Sequence, residues 1–304
     1  MKKISWVTHE DYDIPLPENH KFTASKFSDL YNELKTSDFY HRAKILSPQK
    51  ASVDEVSICH DLDYVLKIKN GTLSDKEIRR LGFKWSETLS NRSFLAVNGT
   101  LLTCKEAIKN GIANHLAGGT HHSHRDFGSG YCVFNDLAYA SLHLIRTHQV
   151  KKILIFDTDV HQGDGTASIL KDNDKIFTCS IHCKNNFPAR KAKSDLDVEL
   201  EDNLDSHQYL KILNQTLERC MNLFNPEFVL YDAGVDIHLN DELGKLKVDD
   251  AGLIKRDEIV LQFFKSLSIP IATVIGGGYS KNKIELAKRH ASIFKAAKNI
   301  FLED

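Results

Sequence analysis

The sequence has little that would direct the chain to a membrane or to nucleic acid. It contains no apolar run of 18 residues, the length that a membrane-spanning helix requires, and the segment Met1–Thr8 is too short and polar for a secretory signal. The formal net charge is −1, which gives no standing attraction for nucleic acid or for an anionic membrane. We therefore expect no membrane span and no direct nucleic-acid binding.

Paired cysteine motifs, repeats, low-complexity tracts and linkers are also missing. None of the six cysteines stands in a CxxC pair, and several lie in apolar runs, so we expect reduced, buried thiols in a cytoplasmic protein. Apolar residues make up 41% of the 304 positions. That content allows a large core and favours one domain, residues 1–304.

Short apolar runs alternate with segments of helical periodicity along most of the chain. The predicted strands are Ile4–Thr8, Gly111–Ala117, Ile153–Asp157, Ile176–Ile181, Phe228–Ala233 and Pro270–Ile275. Such alternation is typical of an α/β fold in which helices cover both faces of a parallel sheet.

Acids and a histidine are concentrated directly after one predicted strand, in the segment 157–165 (DTDVHQGDG). Asp159 and His161 are two residues apart, so their side chains point the same way from a strand end and could ligate one divalent metal. Asp157 is two residues before Asp159, so its side chain points the same way and could accept a hydrogen bond from a neighbouring group. The alternative is a turn whose acids cap the helix that begins near Thr166.

Polar or glycine-rich segments follow five of the predicted strands. The carboxyl ends of parallel strands meet at one edge of a sheet, where α/β folds bind their ligands. We therefore expect a catalytic crevice at this edge. The five segments are 118–122 (GGTHH), 157–165, 180–188, 234–236 (GVD) and 276–279 (GGGY).

Asp236, in the fourth of these segments, can complete a metal site. With Asp159 and His161 it makes a three-ligand set that leaves a position for water, as hydrolytic zinc sites require. Two carboxylates make this set harder than three histidines, so Fe²⁺, Co²⁺ or Mn²⁺ could compete with Zn²⁺. The alternative for Asp236 is a simple turn acid.

The adjacent His121 and His122 suggest two oriented proton carriers. Asp157 and Asp164 remain after metal ligation, which gives one orienting carboxylate for each imidazole. The other histidines of these segments, His115, His124, His182 and His238, are predicted to be surface or core residues.

Tyr279 follows three glycines that allow a tight turn. Its phenol could therefore donate a hydrogen bond to a developing oxyanion beside the metal. The alternative is a tyrosine that only packs under a glycine turn.

Taken together, these segments resemble the zinc-dependent histone deacetylase family. The matching segments are 118–136 (GGTHHSHRDFGSGYCVFND), 156–165 (FDTDVHQGDG), 231–236 (YDAGVD) and 276–279 (GGGY). The stretch 243–260 (LGKLKVDDAGLIKRDEIV) is most similar to the class IV branch. The resemblance implies an arginase-like fold: a single-domain, three-layer α/β/α structure with a mostly parallel sheet of about eight strands.

The resemblance also implies a role for each candidate residue. The metal ligands are Asp159, His161 and Asp236; His122, oriented by Asp164, is the general base and acid; His121, paired with Asp157, assists electrostatically; and Tyr279 polarises the acyl carbonyl. The acyl-lysine tunnel is lined by Gly130, Tyr131, Phe187 and Gly277. A K⁺ site is implied by carbonyls of Asp157, Asp159 and His161 and by the hydroxyl of Ser180.

The resemblance implies metal-dependent hydrolysis of acyl-lysine amides in a protein or peptide. Similarity to the class IV branch implies that the acyl group removed is a long-chain fatty acyl group as well as, or instead of, acetyl. Thr120 stands where the family often has an aromatic residue, and Gln162 where it often has a histidine.

A small-molecule amidohydrolase, such as an acetylpolyamine deacetylase, is an alternative that an acidic tunnel rim would favour. A non-catalytic acyl-lysine-binding module is another, although the intact site positions argue against it. A two-metal ureohydrolase would need an acid where Gly163 stands.

Overall fold

A computed structural model describes residues 2–302. Eight strands of these residues form one sheet, ordered β2-β1-β3-β8-β7-β4-β5-β6, and all neighbouring strands run parallel. The strands are β1 (Ile4–Val7), β2 (Ala43–Leu46), β3 (Ile112–His115), β4 (Ile153–Asp157), β5 (Ile176–Cys183), β6 (Leu196–Leu200), β7 (Phe228–Asp232) and β8 (Ile271–Val274). The predicted α/β fold is therefore confirmed. The expected domain 1–304 also includes Met1, Glu303 and Asp304, which lie outside the described residues.

Eleven α-helices occur in the described part of the chain. They are α1 (Lys26–Lys35), α2 (Val53–Val56), α3 (Leu62–Asn70), α4 (Asp75–Leu81), α5 (Glu87–Asn110), α6 (Asp136–Arg146), α7 (Asp164–Leu170), α8 (Ser206–Leu223), α9 (Asp250–Ser266), α10 (Lys283–His290) and α11 (Ser292–Leu302). The strands β3, β4, β7 and β8 are buried at every residue, so helices cover both faces of the sheet centre. Among the helices, α5 packs on α6, and α9 packs on α8 and α11.

Two strands and one helix boundary differ from the sequence expectation. The unpredicted β2 and β6 are the edge strands of the sheet, and their residues are only partly buried, so they lack the continuous apolar pattern of an inner strand. The helical periodicity of residues 282–300 predicts a single helix, whereas the structure has two helices there, α10 and α11. Ser292 begins the second and donates a hydrogen bond to the buried Asp257.

The ends of the central strands are level, which brings the predicted functional segments together. Asp157, the last residue of β4, is in register with Asp232 of β7 on one side and with Ser180 of β5 on the other. Neighbouring residues in register point to the same face of a sheet. The loops after these strands therefore start at the same edge, as the sequence predicted.

A buried ion pair supports the loop after β7. Arg256 of α9 pairs with Asp257 and also donates to the backbone carbonyls of Ala233 and Gly234. Asp257 accepts a further hydrogen bond from Tyr231. A guanidinium with several acceptors holds a loop carbonyl in a fixed direction, and this fixes the turn that presents Asp236.

The described residues contain no helix long and apolar enough to cross a membrane. All six cysteines are buried and unpaired. The burial of the cysteines agrees with their positions in apolar runs of the sequence.

Candidate active site

The three predicted metal ligands converge beyond the ends of β4 and β7. Nδ1 of His161 lies 3.0 Å from Oδ1 of Asp159 and 3.1 Å from Oδ2 of Asp236, and all three side chains are buried. One ligand atom of each lies within 4.8 Å of the other two. Two carboxylates and one imidazole at this spacing fit a single divalent ion.

The electrostatics of this cluster favour a positive charge between the ligands. Burial disfavours a charged His161, but the carboxylates of Asp159 and Asp236 outweigh burial and raise the pKa of the imidazole to about 10. A metal ion in place of that proton would satisfy the same carboxylates. The donor set and its charge therefore fit the divalent ion that the sequence implied.

Backbone amides hold the two acidic ligands in place. The amide of Gly277 donates to Oδ2 of Asp159 over 2.7 Å, and the amide of Val160 donates to Oδ1 of Asp236 over 2.9 Å. A Cβ atom at position 277 would overlap both carboxylates. Glycine is therefore required there for the close approach of the backbone.

Two histidine–aspartate pairs lie beside the metal ligands. Nδ1 of His121 is 2.8 Å from Oδ2 of Asp157, and Nδ1 of His122 is 2.6 Å from Oδ1 of Asp164. The two Nε2 atoms are 3.2 Å apart. The structure thus brings together the pairs that the sequence predicted, and it turns both Nε2 atoms away from their carboxylates.

The two imidazoles differ in their affinity for a proton. Burial opposes the charge of His121, but the carboxylates of Asp157 and Asp159 outweigh it and raise its pKa well above the usual value. Burial, together with the neighbouring His121, lowers the pKa of His122 to about 4 despite its bond to Asp164. His122 is therefore the neutral imidazole that can accept a proton, while His121 favours the charged form.

His124 belongs to this network, which the sequence analysis missed. Its Nε2 lies 3.0 Å from Oδ2 of Asp164, the oxygen that His122 does not use. Burial disfavours the Asp164 carboxylate, but its bonds to both histidines lower its pKa below the usual value. The sequence signal that could have indicated this role is the spacing of two residues between His122 and His124, which allows both side chains to reach one carboxylate.

Asp232 is a second residue that the sequence analysis missed. It is fully buried, and neither of its carboxyl oxygens has a hydrogen-bond partner. One of its oxygens lies within 4.8 Å of ligand atoms of His121 and Asp157. Burial and the nearby Asp157 raise its pKa well above the usual value. Asp232 is part of the segment 231–236 (YDAGVD). Nothing in the sequence distinguished it from an ordinary acidic residue at the end of a strand.

The phenol of Tyr279 faces the same cluster. Its ring centroid is 6.2 Å from that of His161, and its backbone amide donates to Oδ2 of Asp241 over 2.7 Å. Burial, followed by the charges of Asp236 and Asp159, raises the pKa of the phenol well above the usual value. The hydroxyl is therefore protonated and available as a donor.

The four predicted tunnel residues surround the two histidines and Tyr279. The Phe187 ring stands almost perpendicular to that of His122 at 4.8 Å between centroids, and it is 45% exposed. The Tyr131 ring lies 6.1 Å from that of Tyr279, and a Cβ at Gly130 would meet the His122 ring. Gly277 lies beside the predicted metal ligands, so all four residues are close to the predicted reacting groups.

The remaining predicted residues lie farther from the three predicted metal ligands or in the core. Ser180 lies beside Asp157 in the neighbouring strand, and its hydroxyl is 3.0 Å from Nδ1 of His182. His115 is buried, with its two ring nitrogens close to hydroxyls of Tyr12 and Thr100. His238 is also buried.

Comparisons with known proteins agree with this arrangement. A model of the histone deacetylase domain matches residues 20–295. The chain belongs to the histone deacetylase family. It is 42% identical to an uncharacterized protein of Picosynechococcus sp. over 97% of this chain and 98% of that protein.

Several named proteins are similar to this chain at lower identity. Histone deacetylase 2 of Arabidopsis thaliana is 28% identical over 93% of this chain and 76% of its own length. Acetoin utilization protein AcuC of Staphylococcus xylosus is 29% identical over 83% of this chain and 70% of its own length. The crystal structure of an HDAC homolog complexed with SAHA superposes with a TM-score of 0.82 and 24% identity, covering 97% of this chain and 84% of that one. The arginase/deacetylase fold is thereby established.

Proposed function

We propose that this histone deacetylase family member hydrolyses acyl-lysine amides with one Zn²⁺ ion held by Asp159, His161 and Asp236. The observation that carries the proposal is geometric: the rings of His122 and Tyr279 lie 5.7 Å and 6.2 Å from the ring of His161, which clusters with Asp159 and Asp236. Amide hydrolysis needs these functions together: a base for water, a donor for the oxyanion and a Lewis acid.

The residues divide the proton transfers between them. When bound, the metal supplies a Lewis acid for the carbonyl and lowers the pKa of water. His122 accepts the proton of the attacking water at Nε2 and then returns it to the leaving amine, while Asp164 holds its Nδ1. His121 keeps a positive charge beside it, paired with Asp157. Tyr279 donates its hydroxyl proton in a hydrogen bond to the developing oxyanion.

The ion pairing of one acid close to Tyr279 favours an acyl-lysine over a small polycationic amine. A polyamine substrate would be attracted by a free acid at the rim. Glu242, whose amide donates to the carbonyl of Tyr279, is instead paired with Lys21 over 3.1 Å. Relatives named as histone deacetylases support the same choice, whereas the relative named for acetoin utilization leaves the acetylpolyamine alternative open to test.

A side-by-side assay distinguishes these substrates. The zinc-loaded chain should release acetate from acetyl-lysine peptides with a higher kcat/KM than from acetylputrescine or acetylspermidine. The reverse order would favour the small-molecule amidohydrolase. Binding of acyl-lysine without any turnover would favour the non-catalytic module.

Metal stoichiometry is a separate prediction. We expect one zinc ion per chain, because Asp159, His161 and Asp236 form a single three-ligand set, and we expect Asp236→Asn to lose most of the zinc. Asp232→Asn is the matched control, since it changes a buried acid of the neighbouring cluster with His121 and Asp157. Elemental analysis after dialysis measures both. Two ions in the wild-type chain, with one lost in Asp232→Asn, would contradict the one-metal proposal.

His124 is expected to act as a positioning residue. In His124→Ala, Oδ2 of Asp164 loses its donor, so more of its charge acts on His122 and raises the pKa of that imidazole. We expect kcat to fall by about tenfold, as for other residues that orient a reacting group, and the acid limb of kcat/KM to move to higher pH. His124→Gln, which keeps a donor, should restore most of the activity. A fall in rate without a shifted pH profile would indicate a purely structural role.

Finer features of the proposal follow from resemblance. We propose membership of the class IV branch, a cytoplasmic location and a K⁺ ion near Asp157, Asp159, His161 and Ser180. Fe²⁺, Co²⁺ or Mn²⁺ could replace Zn²⁺ at a site with two carboxylates. Activity measured in K⁺ against N-methylglucamine buffers tests the monovalent ion.

A further inference from the structure

A buried carboxylate at the start of α6 holds the turn that leads into the two active-site histidines. Oδ1 of Asp136 accepts a hydrogen bond from the backbone amide of Thr120 over 2.7 Å, and Oδ2 accepts one from the amide of Gly119 over 3.1 Å. The hydroxyl of Thr120 lies 2.5 Å from the same Oδ1. Asp136 is fully buried. Its carboxylate therefore fixes the two residues that come directly before His121.

This carboxylate is not needed to cap its own helix. Asn135 is the N-cap of α6, and its Oδ1 accepts from the amide of Ala138 over 2.9 Å. Acidic residues in a first helical turn usually act through their attraction to the helix dipole. The hydrogen bonds of Asp136 lead instead away from α6, to the turn before His121 and to α5. The arrangement therefore points to a role in holding that turn.

Three further buried side chains approach Asp136 in a line. Oγ1 of Thr100, on α5, lies 2.6 Å from Oδ2 of Asp136 and 2.9 Å from Nδ1 of His115. Nε2 of His115, the last residue of β3, lies 2.8 Å from the hydroxyl of Tyr12. Thr100, His115 and Tyr12 are fully buried. They form a chain of hydrogen bonds that ends on the carboxylate of Asp136.

One placement of protons satisfies every bond of this chain. The carboxylate of Asp136 only accepts, so the single hydroxyl proton of Thr100 is donated to it. Nδ1 of His115 must then carry a proton and donate it to the oxygen of Thr100. Burial lowers the pKa of His115 to about 3, so its imidazole is neutral and its Nε2 accepts a hydrogen bond from Tyr12. Every donor in the chain thus points towards Asp136.

We propose that Thr100 and Asp136 are positioning residues, which hold His122 in the orientation that the reaction needs. Asp136 fixes the turn before the histidine pair, and Thr100 fixes the carboxylate of Asp136 from α5. Both act through the backbone of the turn and not by contact with the substrate. His115 orients Thr100 in its turn. This inference rests on the proposed amide hydrolysis, because His122 is the base and acid of that reaction.

A variant at position 100 tests the chain with little change of shape. Thr100→Val removes the hydroxyl, and we expect kcat on an acetyl-lysine peptide to fall by about 10- to 100-fold, as for a small displacement of a reacting group. KM and zinc content should stay at their wild-type values. Thr100→Ser, which keeps the hydroxyl, should restore most of kcat.

The same helix offers a matched control. Thr103 is a buried threonine of α5 whose hydroxyl donates to the carbonyl of Gly99 over 2.8 Å, within the helix. Thr103→Val therefore removes a buried hydroxyl from α5 without touching the chain, and it should keep wild-type kcat. Wild-type kcat in Thr100→Val, or an equal loss of kcat in Thr103→Val, would overturn the inference.

A double variant separates positioning from a general loss of structure. If Thr100 acts through His122, Thr100→Val should change the residual kcat of His122→Ala by no more than about twofold, because the group that it positions is already absent. A general defect would lower kcat by the same factor in both backgrounds. Such an equal loss would overturn the positioning role.

Nitrogen NMR of isotope-labelled histidines tests the chain without turnover. Wild-type His115 should have a protonated Nδ1 and an unprotonated Nε2. Thr100→Val should shift the His122 signals, whereas Thr103→Val should leave them in place. A His115 protonated at Nε2, or unmoved His122 signals in Thr100→Val, would overturn the inference. If the signals behave as expected but the wild-type chain hydrolyses no acyl-lysine, it is the proposed hydrolysis that fails, and the held turn remains.

Discussion

His122→Ala should lower kcat by about 10²–10⁴, the usual contribution of a positioned proton carrier. His122 is the imidazole whose pKa is lowered, to about 4, by burial and by the charge of His121. It is therefore neutral above that pH and can accept the proton of water, whereas His121 is paired with Asp157 and favours its charged form. Steady-state kinetics on an acetyl-lysine peptide measure the effect.

The controls for His122→Ala separate proton transfer from metal loss and misfolding. His122 is not among the three metal ligands, so the zinc content of the variant should equal that of the wild-type chain. His207→Ala is a matched control, because His207 is exposed at the start of α8, away from the cluster. A variant that keeps its zinc and retains wild-type kcat would show that another group is the base.

Much of the fold could be predicted because the inner strands carry a local signal. The strands β4 and β7 are buried at every residue and read as continuous apolar runs. The edge strands β2 and β6 could not be found in this way, because their stability comes from pairing with β1 and β5 along one edge. Pairing between distant segments leaves no periodic pattern in the strand itself.

The same distinction holds for the active site. The motifs after β4 and β7 placed Asp159, His161 and Asp236 together because parallel strands end at one edge of the sheet. Lys26 and Arg92 line the same pocket from α1 and α5 in the first third of the chain, where no motif stood out. Both side chains are buried by the packing of distant segments, and such packing cannot be read from the spacing of residues in the sequence.

Asp232 shows a different limit of the sequence pattern. It lies within the predicted strand Phe228–Ala233, yet the pattern could not show that both of its oxygens lack hydrogen-bond partners in the interior. Side chains at positions 119 or 276 would overlap its carboxyl group. Glycines in the GGTHH and GGGY segments therefore make room for a buried acid as well as for turns.

Tyr279→Phe should lower kcat by about 10²–10³, the usual cost of removing one oxyanion donor. The substitution deletes only the hydroxyl, so the ring contacts with His161 and Tyr131 remain. Burial raises the pKa of this phenol, so the wild-type side chain is a hydrogen-bond donor throughout the working pH range. Because the donor is needed most when charge develops on the carbonyl oxygen, kcat should fall much more than KM rises.

Tyr131→Phe is the matched comparison for Tyr279→Phe. Tyr131→Phe removes a hydroxyl from a partly buried tyrosine of the tunnel wall, whose ring lies 6.1 Å from that of Tyr279. Since we propose that this ring only lines the acyl-lysine tunnel, Tyr131→Phe should change KM more than kcat. Zinc content and melting temperature should be the same in both variants and in the wild-type chain. Wild-type kcat in Tyr279→Phe would mean that the metal alone stabilises the oxyanion and that the phenol serves only to shape the pocket.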